Sequence, residues 1–149
     1  IKSINWNEYN AIIISDYNKG FLNELDIEFI SKQHPLVFLD TKKLLGNWVY
    51  NIDFIKINFN EYQNNLSIIV TDKIIENKVI ITRGHLGCVY KNKMYPTQEV
   101  PVKDVSGAGD TFLAGLVFEY IKTVDIEKAI DFAQKCTTIV VQKSGVSTI

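Results

Sequence analysis

Apolar and polar residues occur in blocks along this chain, and the apolar blocks predict four buried β-strands. Each block is short, rich in aliphatic residues and followed by polar residues. Short runs of this kind are typical of strands covered on both faces, as in a parallel sheet. The four predicted strands are Ala11–Ile14, Leu36–Leu39, Phe54–Ile57 and Val79–Ile81.

Other segments have the spacing of a hairpin or of a helix face. Cys88–Tyr90 and Met94–Tyr95 flank a polar turn and predict a β-hairpin. A first helix is predicted to end at Pro35, because proline interrupts helical hydrogen bonding. Its apolar positions predict a buried face formed by Leu22, Leu25, Phe29 and Ile30.

Two further helices are predicted in the C-terminal part of the chain. One begins at Gly107 and carries apolar residues as far as Ile121. The other is predicted to have Asp125 as its N-cap and to close at Gly145. Strands mixed with helices in this order predict a single α/β domain over residues 1–149, with ligand sites at the carboxyl ends of the strands.

Composition narrows the class of protein. The chain has 149 residues, of which 46% are hydrophobic and 22% charged, as expected for a globular domain. Its formal net charge is −1 and its lysines are scattered, which disfavours a nucleic-acid or anionic-membrane surface. The apolar runs are too short to span a membrane, and we expect no secretion signal. The first residue is isoleucine, and the pattern suggests part of a longer protein.

The two cysteines indicate the redox compartment. Cys88 and Cys136 lie far apart, neither forms a Cys-x-x-Cys pair, and the two histidines, His34 and His85, are far from each other. Such spacing favours neither a disulfide framework nor a zinc site. We therefore expect two reduced core cysteines and a cytoplasmic location.

The strongest chemical motif is the segment 104–112, Asp-Val-Ser-Gly-Ala-Gly-Asp-Thr-Phe. Small residues at Gly107, Ala108 and Gly109 would leave main-chain amides unshielded at a helix start, where an anion binds well. Asp110 directly behind them would repel a phosphate, but it suits a general base for a hydroxyl that attacks that phosphate. A plain helix start, with Asp110 opposing the helix dipole, is the alternative. Residues flanking the glycines favour the catalytic interpretation.

This segment resembles the C-terminal signature of the ribokinase-like (PfkB) carbohydrate kinases. Three further motifs occur in that family's order: Asn58–Glu61, Thr82–Gly84 with Gly87, and Lys143–Gly145. The resemblance implies a ribokinase-like three-layer α/β sandwich with a mostly parallel sheet. It also implies that this chain is the C-terminal, nucleotide-binding part, without the N-terminal sugar-binding half and its lid.

The resemblance implies an ATP-dependent sugar or sugar-phosphate kinase with Asp110 as general base and an anion hole at Gly107, Ala108 and Gly109. Asn58 and Glu61 would order Mg²⁺ through water, and Asp104 would bind a monovalent cation such as K⁺ near Gly145 and Ser147. Lys19 and Lys42 are candidates for a substrate phosphate. The implied nucleotide-binding residues are Asn58, Phe59, Asn60, Glu61, Thr82, Arg83, Gly84, Gly87 and Gly145.

Three local features resemble the heptose 7-phosphate kinases of bacterial ADP-heptose synthesis: Asp16–Gly20, Asp40–Lys42 and Val140–Ser147. The partner implied is a small-molecule sugar or sugar phosphate, and the longer parent protein is a candidate homodimer. Two departures from the family stand out. The segment from Asn58 to Val79 leaves little room for a helical connection, and the missing N-terminal half predicts that the chain is inactive alone.

Two other hypotheses stay open. The chain could be a non-catalytic remnant that binds a nucleotide or a partner; the intact Asp110, Asn58 and Glu61 favour catalysis instead. A nucleotide-binding domain of another α/β class would need a glycine-rich loop after the first strand, and residues 15–20 contain one glycine.

Overall fold

The computed structural model describes residues 4–145 and contains one six-stranded sheet. The strands follow one another across the sheet in chain order. The first three are parallel, with Ile12 opposite Val37 and Phe38 opposite Phe54. The strands are β1 (Ile12–Asp16), β2 (Val37–Thr41), β3 (Phe54–Asn58), β4 (Val79–Thr82), β5 (Cys88–Tyr90) and β6 (Lys93–Tyr95). The predicted α/β class is thus confirmed.

Within the described residues, five α-helices accompany the sheet. They are α1 (Glu24–Ser31), α2 (Phe59–Thr71), α3 (Lys73–Glu76), α4 (Ala108–Thr123) and α5 (Ile126–Val140). The helix starts follow from local side-chain chemistry, because a side-chain oxygen at the N-cap accepts an otherwise unpaired amide. Asp125 does this for α5, where its Oδ1 accepts the amides of Glu127 and Lys128, so its predicted capping role is confirmed.

The chain divides into two compact units. The first contains the described residues up to Ile81 and the segment Tyr90–Asn92, and the second contains Thr82–Val89 and the described residues from Lys93 onward. The core of the first unit is built from alternate strand residues, because successive side chains point to opposite faces of a sheet. Ile14, Leu39 and Ile57 belong to this core and are nearly inaccessible to solvent.

The second unit contains the packing of α4 against α5. Gly115 lies at the point of closest approach, where an added Cβ would be 3.2 Å from the Ala133 Cα and 3.3 Å from the Cys136 Sγ. The apolar residues Phe112, Leu116 and Ile130 are buried nearby on the two helices. A side chain here would require its neighbours to shift by a few tenths of an ångström, so the glycine favours the close packing of the two helices.

The buried face of α1 agrees with the prediction only at Ile30. Leu25 is 74% exposed and Phe29 is 42% exposed, and Ile27 is buried instead. Leu22 precedes the helix and packs against the core. The pairs Leu25–Phe29 and Ile27–Ile30 both have helical spacing, so periodicity alone could not distinguish the two faces. The packing of α1 selects the Ile27 face.

Two predictions about the connections are wrong. The segment from Asn58 to Val79 does hold a helical connection, formed by α2 and α3. Helix α5 ends at Val140 with Val141 as its C-cap, and not at Gly145. Gly145 does have the positive φ of a typical terminating glycine, +74°, but it lies beyond the helix.

The cysteine prediction is consistent with the structure, in which Cys88 and Cys136 are both buried as free thiols. Within residues 4–145, none of the helices has the length and hydrophobicity needed to cross a membrane.

Candidate active site

A tight turn after β4 forms one side of the candidate site, in the second unit. The Arg83 amide donates to the Gly87 carbonyl at 2.8 Å, and the Gly87 amide donates to the Gly84 carbonyl at 3.0 Å. Both glycines have positive φ, +58° at Gly84 and +86° at Gly87. The turn begins at Thr82, the last residue of β4, so the Thr-x-Gly motif does lie at a strand end.

Gly87 also allows a close approach of neighbouring backbone. A Cβ added there would lie 2.1 Å from the Tyr95 carbonyl oxygen and 2.8 Å from both the Thr97 nitrogen and the Gln134 Oε1. These contacts join the turn to the exit of β6 and to α5. The glycine is therefore required by space as well as by backbone conformation.

The start of α4 holds the motif that most strongly suggests catalysis. Gly107 is the N-cap in the left-handed conformation, and Asp110 lies exposed in the first turn. The Thr111 amide already donates to the Gly107 carbonyl at 2.8 Å, and the Ala108 amide donates to the Val105 carbonyl at 3.1 Å. Helix geometry gives the Gly109 amide no intrahelical acceptor, so this amide is suitably placed to receive an anion.

Asp104 connects this helix start to the end of α5. Its Oδ1 accepts the Ser106 amide at 2.8 Å, and its Oδ2 accepts the Gly145 amide at 3.1 Å. The hydrogen bonds from these residues lower the pKa of the Asp104 carboxyl below its usual value, and those from Ser106 have the largest effect. Ser147, the other residue predicted beside a cation here, lies outside the described residues.

A cleft in the second unit runs between these elements and has two connected parts. Gly84, Thr97, Ala108 and Thr137 line both parts. The part with a volume of about 190 Å³ is walled by valines: Val100, Val102, Val105 and Val141. The other part, about 120 Å³, is lined by Thr82, Gly87, Gly109, Phe112 and Gln134. A mostly apolar cavity ending at a helix start suits a ligand with a flat apolar part and an anionic part.

Gln134 is a residue of the cleft that the sequence interpretation missed. It is 7% exposed, and its Nε2 donates to the Pro96 carbonyl at 3.4 Å. Its Oε1 is buried without a hydrogen-bond partner among the described residues. The only signal in the sequence was a polar residue on the apolar face of a predicted helix, next to Ala133.

Asn58 and Glu61 lie in the first unit, where they form a capping box at the start of α2. The Asn58 Oδ1 accepts the Glu61 amide at 2.9 Å, and the Glu61 Oε2 accepts the Asn58 amide at 2.7 Å. Phe59 and Asn60 are the first two residues of α2 and are both exposed. Helix α1 has the same arrangement at its own start, with Asn23 and Asp26.

Lys19 and Lys42 also lie in the first unit and are exposed, in the segments that follow β1 and β2. The Lys42 Nζ lies 5.0 Å from the centre of the Tyr17 ring. The neighbouring Lys43, which the sequence analysis passed over, is 3.3 Å from the buried Asp16 carboxylate and donates to the Asn18 Oδ1 at 2.8 Å. Lys42 is therefore the more accessible of the two adjacent lysines.

Among residues 4–145 there is no group of three or more His, Cys, Asp or Glu side chains that could hold a metal ion. The Asn58–Glu61 pair and Asp104 are therefore smaller donor sets. Such sets match a hydrated ion, which keeps several water ligands, better than an all-protein cage.

Comparison with known families matches residues 25–149 to the pfkB family carbohydrate kinases. The chain belongs to the pfkB family. The resemblance seen in the motifs is thereby confirmed.

The curated relatives of this pfkB-family chain include bifunctional proteins named HldE. That of Helicobacter hepaticus is 29% identical over 159 aligned residues, covering 93% of this chain and 33% of the relative. That of Sulfurimonas denitrificans is 32% identical, covering 95% of this chain and 34% of the relative. The chain thus spans about a third of the length of these relatives.

Solved structures share the fold. The ribokinase of Thermotoga maritima superposes with a TM-score of 0.78 at 20% identity, covering 97% of this chain and 55% of that one. The adenosine kinase of Schistosoma mansoni superposes with a TM-score of 0.76 at 16% identity, covering 97% of this chain and 54% of that one. Arabidopsis thaliana ribokinase, solved with ribose and ATP, superposes with a TM-score of 0.74 at 18% identity, covering 95% of this chain and 52% of that one. The predicted ribokinase-like fold is confirmed.

Proposed function

We propose that this chain is the nucleotide-binding part of a longer kinase that transfers the γ-phosphoryl group of ATP to a hydroxyl of a sugar or sugar phosphate. The observation that carries the proposal is the position of Asp110, in the first turn of α4 and next in sequence to Gly109, which lines the cleft. A carboxylate there can accept the proton of an attacking hydroxyl while the helix start holds the phosphoryl group. Membership of the carbohydrate kinase family supports the proposal of a phosphoryl transfer to a hydroxyl.

The nucleotide is proposed to bind in the two-part cleft of the second unit. Its base would occupy the valine-walled part, and its phosphates would extend toward Gly109 and the rest of the Gly107–Gly109 anion hole. The turn formed by Thr82, Arg83, Gly84 and Gly87 would border it, with Gly145 beyond the end of α5. Arg83 is the only arginine of the chain, and a guanidinium can donate to two phosphate oxygens at once.

Mg²⁺ is the proposed metal, ordered through water by Asn58 and Glu61, with Phe59 and Asn60 in the same nucleotide-binding segment. The donor types fit, since carboxylate and amide oxygens are hard ligands and Mg²⁺ usually retains water. A carboxylate has about four acceptor positions, so the single bond from the Asn58 amide leaves Glu61 able to accept from metal-bound water. The K⁺ site proposed at Asp104 would use the same carboxylate that accepts the Ser106 and Gly145 amides.

The proposed acceptor is a sugar phosphate, and the HldE relatives favour heptose 7-phosphate. Lys19 and Lys42 would then bind the acceptor's own phosphate. The sugar-binding half and lid are proposed to belong to the rest of the parent protein. The isolated chain is therefore expected to bind nucleotide but to phosphorylate no sugar.

Replacing Asp110 by Asn in the full-length kinase tests the proposal. Asparagine keeps the shape and removes the proton acceptor, so kcat should fall by ~10²–10⁴ with little change in ATP affinity. Asp131→Asn, at an exposed position on α5, is the matched control and should leave kcat unchanged. Near-normal turnover in Asp110→Asn would refute the base assignment. Joint loss of ATP binding and stability would instead make Asp110 a structural helix-start residue.

A further inference from the structure

The loop that leads into α4 is joined to the end of α5 by hydrogen bonds. The amides of Lys103 and Asp104 both donate to the Val141 carbonyl, at 2.8 and 3.3 Å. Val141 is the C-cap of α5, so its carbonyl has no acceptor role inside the helix. The loop therefore supplies the donors that the helix end requires.

The Asp104 carboxylate adds a second connection, with one oxygen on each side. Its Oδ1 accepts from Ser106, within the loop, and its Oδ2 accepts from Gly145, beyond α5. Hydrogen bonds to an ionised carboxylate are stronger than those between neutral groups. The same side chain thus folds the loop and attaches it to a separate segment.

The attached loop determines how α4 begins. Ser106 is followed directly by Gly107, the left-handed N-cap, and the Val105 carbonyl accepts the Ala108 amide. The direction of the Gly109 amide and the position of Asp110 follow from this turn. Asp104 itself does not line the cleft.

We propose that Asp104 is a positioning residue, which clamps the turn at residues 105–109 to the segment after α5 and so fixes the anion-binding amide and the Asp110 carboxylate. The inference rests on the proposed function for its catalytic consequence, but the clamp can be tested without catalysis. A displacement of about 1 Å at a reacting centre can reduce a rate ~10²-fold, so loss of the clamp should be visible in kcat.

Two substitutions separate the two halves of the clamp. Asp104→Asn keeps an oxygen for the Ser106 amide but presents an NH₂ group to the Gly145 amide. Asp104→Ala removes both acceptors. Asp125→Asn is the control in the same unit, because both of its amide bonds are made to one oxygen and asparagine is an equally good N-cap.

Amide hydrogen exchange in the 149-residue chain, measured by NMR in buffer free of K⁺, tests the clamp. In Asp104→Asn, exchange at Gly145 should accelerate about tenfold while Ser106 stays protected; in Asp104→Ala both should accelerate. Asp125→Asn should change neither amide. Unchanged Gly145 exchange in both Asp104 variants, or protection that appears only when K⁺ is added, would overturn the clamp.

Steady-state kinetics of the full-length kinase test positioning. Because Asp104 is also the proposed K⁺ ligand, Asp104→Asn should raise the K⁺ concentration for half-activation. A ~10–100-fold loss of kcat should nevertheless persist at saturating K⁺, with the KM for ATP little changed. A kcat that recovers fully at high K⁺ would make Asp104 a cation ligand only, and an unchanged kcat with a lower Tm would make it merely structural. Absence of kinase activity in the wild type would refute the proposed function while leaving the exchange result intact.

Discussion

Replacing Gly87 by Ala should destabilise the chain by several kcal/mol, because two separate costs add at this position. The residue has φ +86° and ψ −136°, a conformation that side chains rarely adopt, which costs ~1–3 kcal/mol. The new Cβ would also lie 2.1 Å from a main-chain oxygen, that of Tyr95, which cannot rotate away. Shifting backbone to relieve such a contact costs a further ~1–3 kcal/mol.

Gly20→Ala is the matched control for this prediction. Gly20 has nearly the same φ, +85°, but no atom lies within 4 Å of an added Cβ. It should therefore show the cost of a positive φ without the contact cost. We expect a greater loss in Gly87→Ala than in Gly20→Ala because of the close approach of the turn to the exit of β6.

Urea unfolding followed by far-UV circular dichroism gives the two free energies. We expect Gly87→Ala to lose at least ~1–3 kcal/mol more than Gly20→Ala, and to bind ATP more weakly because Gly87 lines the cleft. Equal losses in the two variants would refute the reasoning. They would mean that the turn and the Tyr95 carbonyl move apart at no cost.

Three other predictions concern the metal, the nucleotide and a buried thiol. Glu61→Gln keeps the capping box and removes the charge, so the Mg²⁺ concentration that the full-length kinase requires should rise. Asp26→Asn, in the equivalent capping box of α1, is the control and should leave that concentration unchanged. An unchanged Mg²⁺ titration in Glu61→Gln would mean that Glu61 only caps the helix. Saturating Mg–ATP should raise the Tm of the 149-residue chain and DNA should not, and an unmoved Tm would contradict nucleotide binding. Burial raises the pKa of the Cys88 thiol to about 12, so the folded state resists its ionisation and the free energy of unfolding should fall as the pH rises from about 9 toward 12. Cys88→Ala should make that decline shallower, and an identical slope would contradict the raised pKa.

The sheet and the helices flanking the candidate catalytic motif could be predicted because their signals are local. Apolar runs such as Leu36–Leu39 and the capping residue Asp125 determine their structure within a few residues. The motif at 107–110 was placed correctly at a helix start for the same reason. Helix α2 was missed because the segment from Asn58 to Val79 was judged too short for a helical connection, although the spacing of Asn58 and Glu61 is that of a capping box.

The rest of the candidate site depends on contacts between distant residues, which one sequence does not display. Gln134 lines the cleft because Gly87 and Pro96 approach it from other elements. The bond from Gly145 to Asp104 joins positions far apart in the chain. The buried face of α1 was likewise selected by packing, since Leu25 and Ile27 are equally apolar in sequence.

The glycine at the crossing of α4 and α5 affects the width of the cleft, because residues of both helices line it. A Cβ added at Gly115 would lie 3.2 Å from the Ala133 Cα and 3.3 Å from the Cys136 Sγ, so the crossing leaves little room for a larger residue. Gly109 on α4 and Thr137 on α5 both line this cleft, so we expect their separation to depend on the crossing. We then expect adaptation to ligands of different size in the loop of residues 97–105, which also borders the cleft, and not in the spacing of the two helices. A directed-evolution experiment aimed at nucleotide preference should accordingly collect its substitutions in that loop and leave position 115 unchanged.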